Sequence, residues 1–190
     1  AGAEADLEIL GLMLQGLAGC GVKTLQLDIG HVGVYRALAQ EARLSREVEH
    51  QLFGALQAKD SSAVAVLAAG LPIALRDAFA ALPRLYGDRS VLAEARACLP
   101  QLAAVEAALD TLEILDRGLV NVEAAYDLAE LRGYGYHSGV VFAAYTGGRS
   151  HAIAQGGRYD EVGRVFGRAR PATGFSLDLR ELVIASSDTQ

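Results

Sequence analysis

The stretch GVVFAAYTGGRSHAIAQGGRYD, Gly139 to Asp160, decides how the rest of the chain is read. "GVVFAAYT", Gly139 to Thr146, is an apolar run with β-branched and aromatic residues. "HAIAQ", His151 to Gln155, is a second short run, and "GGRS" between them suits a turn, so the segment predicts a β-hairpin. Two glycines and Arg-Tyr-Asp follow where the hairpin ends. They read as a strand-to-helix turn, with Tyr159 to Phe166 a short helix. A hairpin makes its strands antiparallel, and the chain shows no regular βαβ rhythm. The expected fold class is therefore α+β, an antiparallel sheet with flanking helices, not a Rossmann sheet.

Upstream, Ala3 to Leu17 places Leu7, Leu10, Leu14 and Leu17 at helical spacing, and Gly19 and Gly21 end the helix. "KTLQLDI", Lys23 to Ile29, alternates and predicts a half-buried strand with Leu25, Leu27 and Ile29 on one face. "HVGVYRALAQEA" follows as a helix headed by His31. From Leu44 to Arg117 no strand pattern occurs. Ser45, Ser61 or Ser62, and Asp88 or Ser90 are candidate helix caps, and Pro72 and Pro100 suit helix starts. The expected organisation is a core of residues 1–41 and 118–190, with an all-helical insertion at 42–117. "LVNVEAAY" and "ATGFSLD" read as further strands, "LRELVIA" as a closing helix, and "SSDTQ" as a frayed tail.

The 190 residues are 52% hydrophobic, enough for one core with room for a subdomain. The net charge of −6 excludes a strongly basic nucleic-acid footprint overall. No apolar run reaches the ~18 residues of a membrane span. Ala1 to Leu10 carries acids and no Lys or Arg, unlike a signal peptide. The chain lacks an initiating Met and looks helical from its start, as expected of a piece of a larger protein. Cys20 and Cys98 have no metal-ligand spacing. They are expected to be small buried hydrophobes in a reduced, cytoplasmic protein. His31 and His50 lack a second ligand at metal spacing, so no metal site is expected.

Two segments hold chemistry-bearing residues together. In "LRGYGYHSGVVF", Leu131 to Phe142, Arg132 suits a bidentate grip on a carboxylate or phosphate. Tyr136 and His137 offer flat walls with polar edges. A glycine-bent strand edge with ordinary surface aromatics explains the same residues. In "QGGRYD", Gly156 and Gly157 could take backbone angles closed to other residues and line a pocket floor. Tyr159 could stack on a ligand, and Arg158 could pair with Asp160. A turn with Asp160 as its cap is the plainer account.

The order of "LRGYGYHSGVVF", "QGGRYD" and "GFSLDLREL" resembles the catalytic core of the histidyl-tRNA synthetase family. That family carries an RGLDYYTGTVFE-like segment, a GGRYD segment and a GFxxGLERL-like third motif. "LDIGHVGVYRAL" is similar to the family as well. The resemblance implies a class II aminoacyl-tRNA synthetase-like sheet. The departures fall where chemistry is done. Asp178 replaces a glycine of the third motif, and Glu181 stands where the ATP-binding Arg belongs. Gly135, His137 and Ala143 also depart from the first segment. "GYGYHSGVVFAAY" and "GGRYDEVGRVFGRARPATGFSLDLR" are closer to the regulatory-subunit branch that accompanies short-form ATP phosphoribosyltransferase in the first step of histidine biosynthesis.

That resemblance implies a non-catalytic subunit without catalytic residues, cofactor or metal. Arg132 would hold the carboxylate of histidine, Tyr136 and His137 would approach its imidazole, and Tyr159 would close over the ring. Gly156, Gly157 and Gly174 would leave room, while Asp178 and Glu181 mark a lost ATP site. Implied partners are the short-form catalytic subunit, a second copy through the synthetase-like core, and histidine as effector, with neither membrane nor tRNA. A histidyl-tRNA synthetase fragment, and a bare interaction module that binds no amino acid, are the alternatives.

Overall fold

A computed structural model describes residues 2–120, 122–146 and 151–187, the side chains of Phe166 and Ser187 excepted. Helix α1 (Ala3–Gly19) buries Asp6, Leu10, Met13 and Leu17. Gly21, at φ +86°, turns the chain out of it, a conformation that costs glycine little. Strand β1 (Gln26–His31) begins later than its alternation suggests; Leu27 and Ile29 are fully buried. His31 caps α2 (Val32–Glu41), its Nδ1 accepting from Gly33 N at 3.0 Å.

The helical stretch comprises α3 (Arg46–Gln57), α4 (Ser61–Ala68), α5 (Ile73–Ala81), α6 (Ser90–Cys98) and α7 (Ala103–Gly118). Ser45 caps α3 as expected, accepting from Val48 N. The cap of α4 is Asp60, not Ser61 or Ser62; its Oδ1 accepts from Ser62 N at 3.1 Å and Ala63 N at 2.9 Å. A carboxylate one residue earlier reaches both free amides, which neither serine is placed to do. Asp88 serves the start of α6 through Ser90 N at 2.8 Å. The stretch also contains an unexpected strand, β2 (Tyr86–Gly87), which is too short to show alternation.

Strands β3 (Ala124–Asp127), β4 (Val140–Tyr145), β5 (Ala154–Arg158) and β6 (Thr173–Leu177) complete a sheet ordered β2-β3-β1-β4-β5-β6. Every pair is antiparallel except β1 with β3, where Leu27 stands opposite Ala124. The chain crosses from β1 to β3 through α2–α7, and such a long crossover permits a parallel return. The expected loop Gly147–Ser150 lies outside the described residues. Gly156 and Gly157 lie within β5, paired on both sides, not in a strand-to-helix turn. Val162–Phe166 form a 3-10 helix. Helix α8 (Leu179–Ser187) runs through the first two residues of the tail expected to fray; residues 188–190 lie outside the described residues.

The two sheet faces differ. Leu27, Ile29, Tyr126, Phe142, Ala144 and Ala154 alternate onto one face and are buried in a hydrophobic core shared with α1, α2 and α3–α7. Asp28, Ala143, Gln155 and Ser176 stand in register across β1, β4, β5 and β6 on the opposite face. Cys20 and Cys98 are exposed, contrary to expectation. Each sits at a helix end, where the backbone leaves the packed surface. Among the described residues, no helix is long and apolar enough to cross a membrane.

Candidate functional site

A cleft of about 370 Å³ opens on the polar sheet face, within the size range of small-ligand pockets. It is lined by Arg132, Tyr136, His137, Gly156, Tyr159 and Gly174, together with Glu130, Gln155, Phe175 and Ser176. Both chemistry-bearing segments therefore meet in one place. The turn before β4 supplies Arg132, Tyr136 and His137, and β5 with its C-terminal extension supplies Gly156 and Tyr159. Gly157 is paired between Val141 and Gly174 and is not among the lining residues.

The turn is tight because Gly133, at φ +64°, accepts from the backbone amides of Tyr136 and His137 through its carbonyl, both at 2.7 Å. Arg36 of α2 holds the same turn from below: its Nη2 donates to the carbonyls of Tyr134 at 3.2 Å and His137 at 3.0 Å. Tyr134 donates in turn to Glu49 Oε1 of α3 at 2.6 Å. Arg36 lies in the family-like segment "LDIGHVGVYRAL" but is not among the expected site residues, Glu49 lies in no motif, and the packing of α2 and α3 brings both here.

Arg132 presents a half-buried guanidinium. Its Nη2 donates to Tyr145 OH at 2.9 Å and lies 3.4 Å from Glu130 Oε2, and its Nη1 lies 3.4 Å from Gln155 Oε1. The long contacts leave donor capacity for an incoming carboxylate. Glu130, absent from the sequence expectations, also accepts from Arg132 N at 2.7 Å. Tyr136 and Tyr159 stack with centroids 5.1 Å apart and an interplanar angle of 30°. His137 meets Tyr136 edge-on at 5.2 Å. Burial pushes the His137 imidazole below its usual pKa, with the Arg158 carbonyl opposing, so the neutral form is favoured.

The glycines act through the missing Cβ, not through unusual backbone angles. A Cβ on Gly156 would come within 2.7 Å of the Phe142 ring and onto the Gly174 carbonyl. One on Gly157 would lie 2.5 Å from Val140 O and 2.8 Å from His137 Nδ1. One on Gly174 would lie 2.7 Å from Tyr159 OH. Arg158 points to the other face. It pairs with Asp160 at 3.2 Å, as its spacing suggested. It also pairs with Asp6 of α1, which is 1% exposed and 152 positions away. Asp160 accepts from Ala172 N at 3.1 Å, closing the loop before β6 instead of capping a helix.

A second cleft adjoins the first through Arg132, Gln155 and Ser176 and includes Asp178. Asp178 Oδ1 accepts from Arg180 N at 2.9 Å and Glu181 N at 3.2 Å, so it caps α8. Glu181 lies in the first turn of that helix and lines neither cleft.

This arrangement of sheet, turn and GGRYD strand has known counterparts. The family model described as Histidyl-tRNA synthetase matches residues 1–182. The chain belongs to the histidyl-tRNA synthetase family. Its sheet and flanking helices are of the class II synthetase type. The chain is 79% identical over all its length to a protein of Thiobacillus denitrificans named ATP phosphoribosyltransferase regulatory subunit, and covers 59% of that protein. A crystal structure from Bacillus halodurans, described as an ATP phosphoribosyltransferase regulatory subunit/histidyl-tRNA synthetase, superposes with a TM-score of 0.85 at 28% identity, over 97% of this chain and 50% of that one. An ATP phosphoribosyl transferase (HisG:HisZ) complex from Thermotoga maritima shares the fold, with a TM-score of 0.68 at 17% identity, over 93% of this chain and 61% of that one. The chain thus spans little more than half the length of these relatives.

Proposed function

We propose that the protein containing this chain is a non-catalytic regulatory subunit of ATP phosphoribosyltransferase, needed for the first step of histidine biosynthesis, and that the cleft senses histidine. In this reading Arg132 grips the ligand carboxylate. Tyr136, His137 and Tyr159 surround the imidazole, Gly156 and Gly174 keep the backbone close, and Gly157, outside the lining, leaves room for the His137 ring behind it. The core of residues 1–41 and 118–190 carries the pocket, interrupted by the helical insertion at 42–117. The partner is the short-form catalytic subunit, which moves a phosphoribosyl group from phosphoribosyl pyrophosphate to ATP. The naming of the Thiobacillus relative and the complex described for the Thermotoga structure support that assignment. Self-association through the synthetase-like core and a cytoplasmic location belong to the same proposal. Bound histidine would shift the assembly towards an inhibited state, with a coupling of about 1–3 kcal/mol.

The observation that carries the non-catalytic reading is the start of α8. Two of its first-turn amides, Arg180 N and Glu181 N, are capped by the chain's own Asp178 carboxylate, which sets a negative charge at the helix start in place of the family's glycine. Glu181 supplies a negative charge where a synthetase of this family has the Arg that contacts ATP phosphates. Exchanging an Arg–phosphate pair for a like charge costs on the order of 2–5 kcal/mol. Aminoacylation is therefore lost, and no tRNA is expected as a partner.

The full-length protein is to be co-purified with a short-form catalytic subunit and assayed with and without histidine. Histidine inhibition that survives Arg132→Ala unchanged would remove the cleft as the sensor. The family match also suits an active synthetase, and histidine-dependent ATP–pyrophosphate exchange separates the two. Measurable exchange would overturn the non-catalytic assignment.

A further inference from the structure

Asp6 is the most deeply buried carboxylate among the described residues, and the cleft does not contain it. Its Oδ2 accepts from Arg158 Nε at 3.1 Å. Its Oδ1 lies 3.0 Å from Arg158 Nη2 without hydrogen-bond alignment, so that oxygen is held by charge alone. The remaining guanidinium donors reach Gly2 O at 2.9 Å and Asp160 Oδ1 at 3.2 Å. The side-chain stem runs past Gly139, where a Cβ would lie 2.9 Å from Arg158 Cδ. Arg158 is thus fixed from both ends of its side chain.

The backbone carbonyl of Arg158 faces the cleft turn. It accepts from Ser138 N at 2.7 Å and lies 3.3 Å from His137 Nδ1. A carbonyl only accepts, so this contact is a hydrogen bond only when Nδ1 carries the proton. The neutral ring then holds its lone pair at Nε2, on the edge beside Gly133.

We infer that Asp6 is a positioning residue for the cleft: through Arg158 it holds the carbonyl that fixes His137 as the Nδ1–H tautomer, making Nε2 an acceptor for a ligand N–H. The ligand class selected is one with a ring or amine N–H donor at that point. A ligand offering only oxygen acceptors there leaves the Nε2 lone pair facing another lone pair. The identity of histidine as that ligand rests on the function proposed above, but the tautomer does not.

The test is a long-range proton–nitrogen NMR spectrum of the ligand-free full chain with nitrogen-15 histidine, the His137 signals assigned by their loss in His137→Asn. The expected result is a pyrrole-type Nδ1 and a pyridine-type Nε2. The reverse pattern overturns the inference without using any variant. In Asp6→Asn, with helical circular dichroism unchanged, both tautomers should appear. A pure Nδ1–H signal in that variant removes Asp6 from the role. Histidine affinity should fall about two- to tenfold in the same variant, the worth of one hydrogen bond. Histidine that fails to bind the parent protein refutes the sensing function while leaving the tautomer measurement to stand or fall by itself.

Discussion

Replacing Arg158 with methionine tests how β5 is tied to α1. The side chain is 11% exposed and faces an Asp6 carboxylate that is 1% exposed, 3.0–3.1 Å away. At that separation, with the effective dielectric of about 20 that suits protein sites, the gross attraction is about 5 kcal/mol. Desolvation of both charges offsets much of it, so the pair itself is worth little against a well-packed apolar substitute. Removing the cation alone is different. It strands Asp6 without a counter-charge and also takes donors from Gly2 O and Asp160. The expected loss is about 3–5 kcal/mol, which for a chain of this size lowers the melting temperature by roughly 6–20 °C. Denaturant and thermal unfolding of the single variant measure it. The double variant Asp6→Leu/Arg158→Met, with no stranded charge, should recover most of the loss. A single variant within 1 kcal/mol of the parent, or a double variant no better than the single, refutes the argument.

Gly156→Ala should destabilise the chain by about 1–3 kcal/mol in the same assay, because the new Cβ meets the Phe142 ring and the Gly174 carbonyl. Asp60→Ala should cost about 1 kcal/mol through loss of the α4 cap, whereas Ser61→Ala and Ser62→Ala should change stability little. His31 gives an acid-side prediction. Burial, with Arg36 and Arg158 nearby, pushes its pKa down from 6.5 to about 4. Between those values the unfolded chain binds a proton that the folded chain excludes. Stability is therefore full above pH 6.5 and falls as the pH drops towards 4, by about 3 kcal/mol. His31→Asn keeps an acceptor for Gly33 N and should flatten that limb of the stability–pH curve.

Much of this molecule could be read in one dimension. Strand β4, the helices with the Ser45 cap of α3, and the strand through Leu27 and Ile29 follow from periodicity and local turn chemistry, which act over a few residues, whereas β5 runs Ala154–Arg158, three residues beyond the expected His151–Gln155. The family followed from three ordered motifs, and of the residues named in them Arg132, Tyr136, His137, Gly156, Tyr159 and Gly174 line one cleft while Gly157, Asp178 and Glu181 do not. The errors were also local in origin. Gly156 and Gly157 resemble a turn in the sequence, because nothing beside them reveals that Phe142 and Gly174 press on the same spot from neighbouring strands. Strand β2 is too short to carry a pattern, and Asp60 competes for its cap with serines only one and two residues on.

The sequence by itself determined most of the helices, the strands through Leu27, Ile29 and Phe142, and the family to which the chain belongs. Tertiary structure alone decided what holds them in place. Asp6 meets Arg158 across 152 positions, Glu49 meets Tyr134 across 85, and Arg36 meets His137 across 101. No local pattern marks such pairs. A buried charge needs its counter-charge somewhere, and only the packing of α1, α2 and α3 against the sheet and the cleft turn says where.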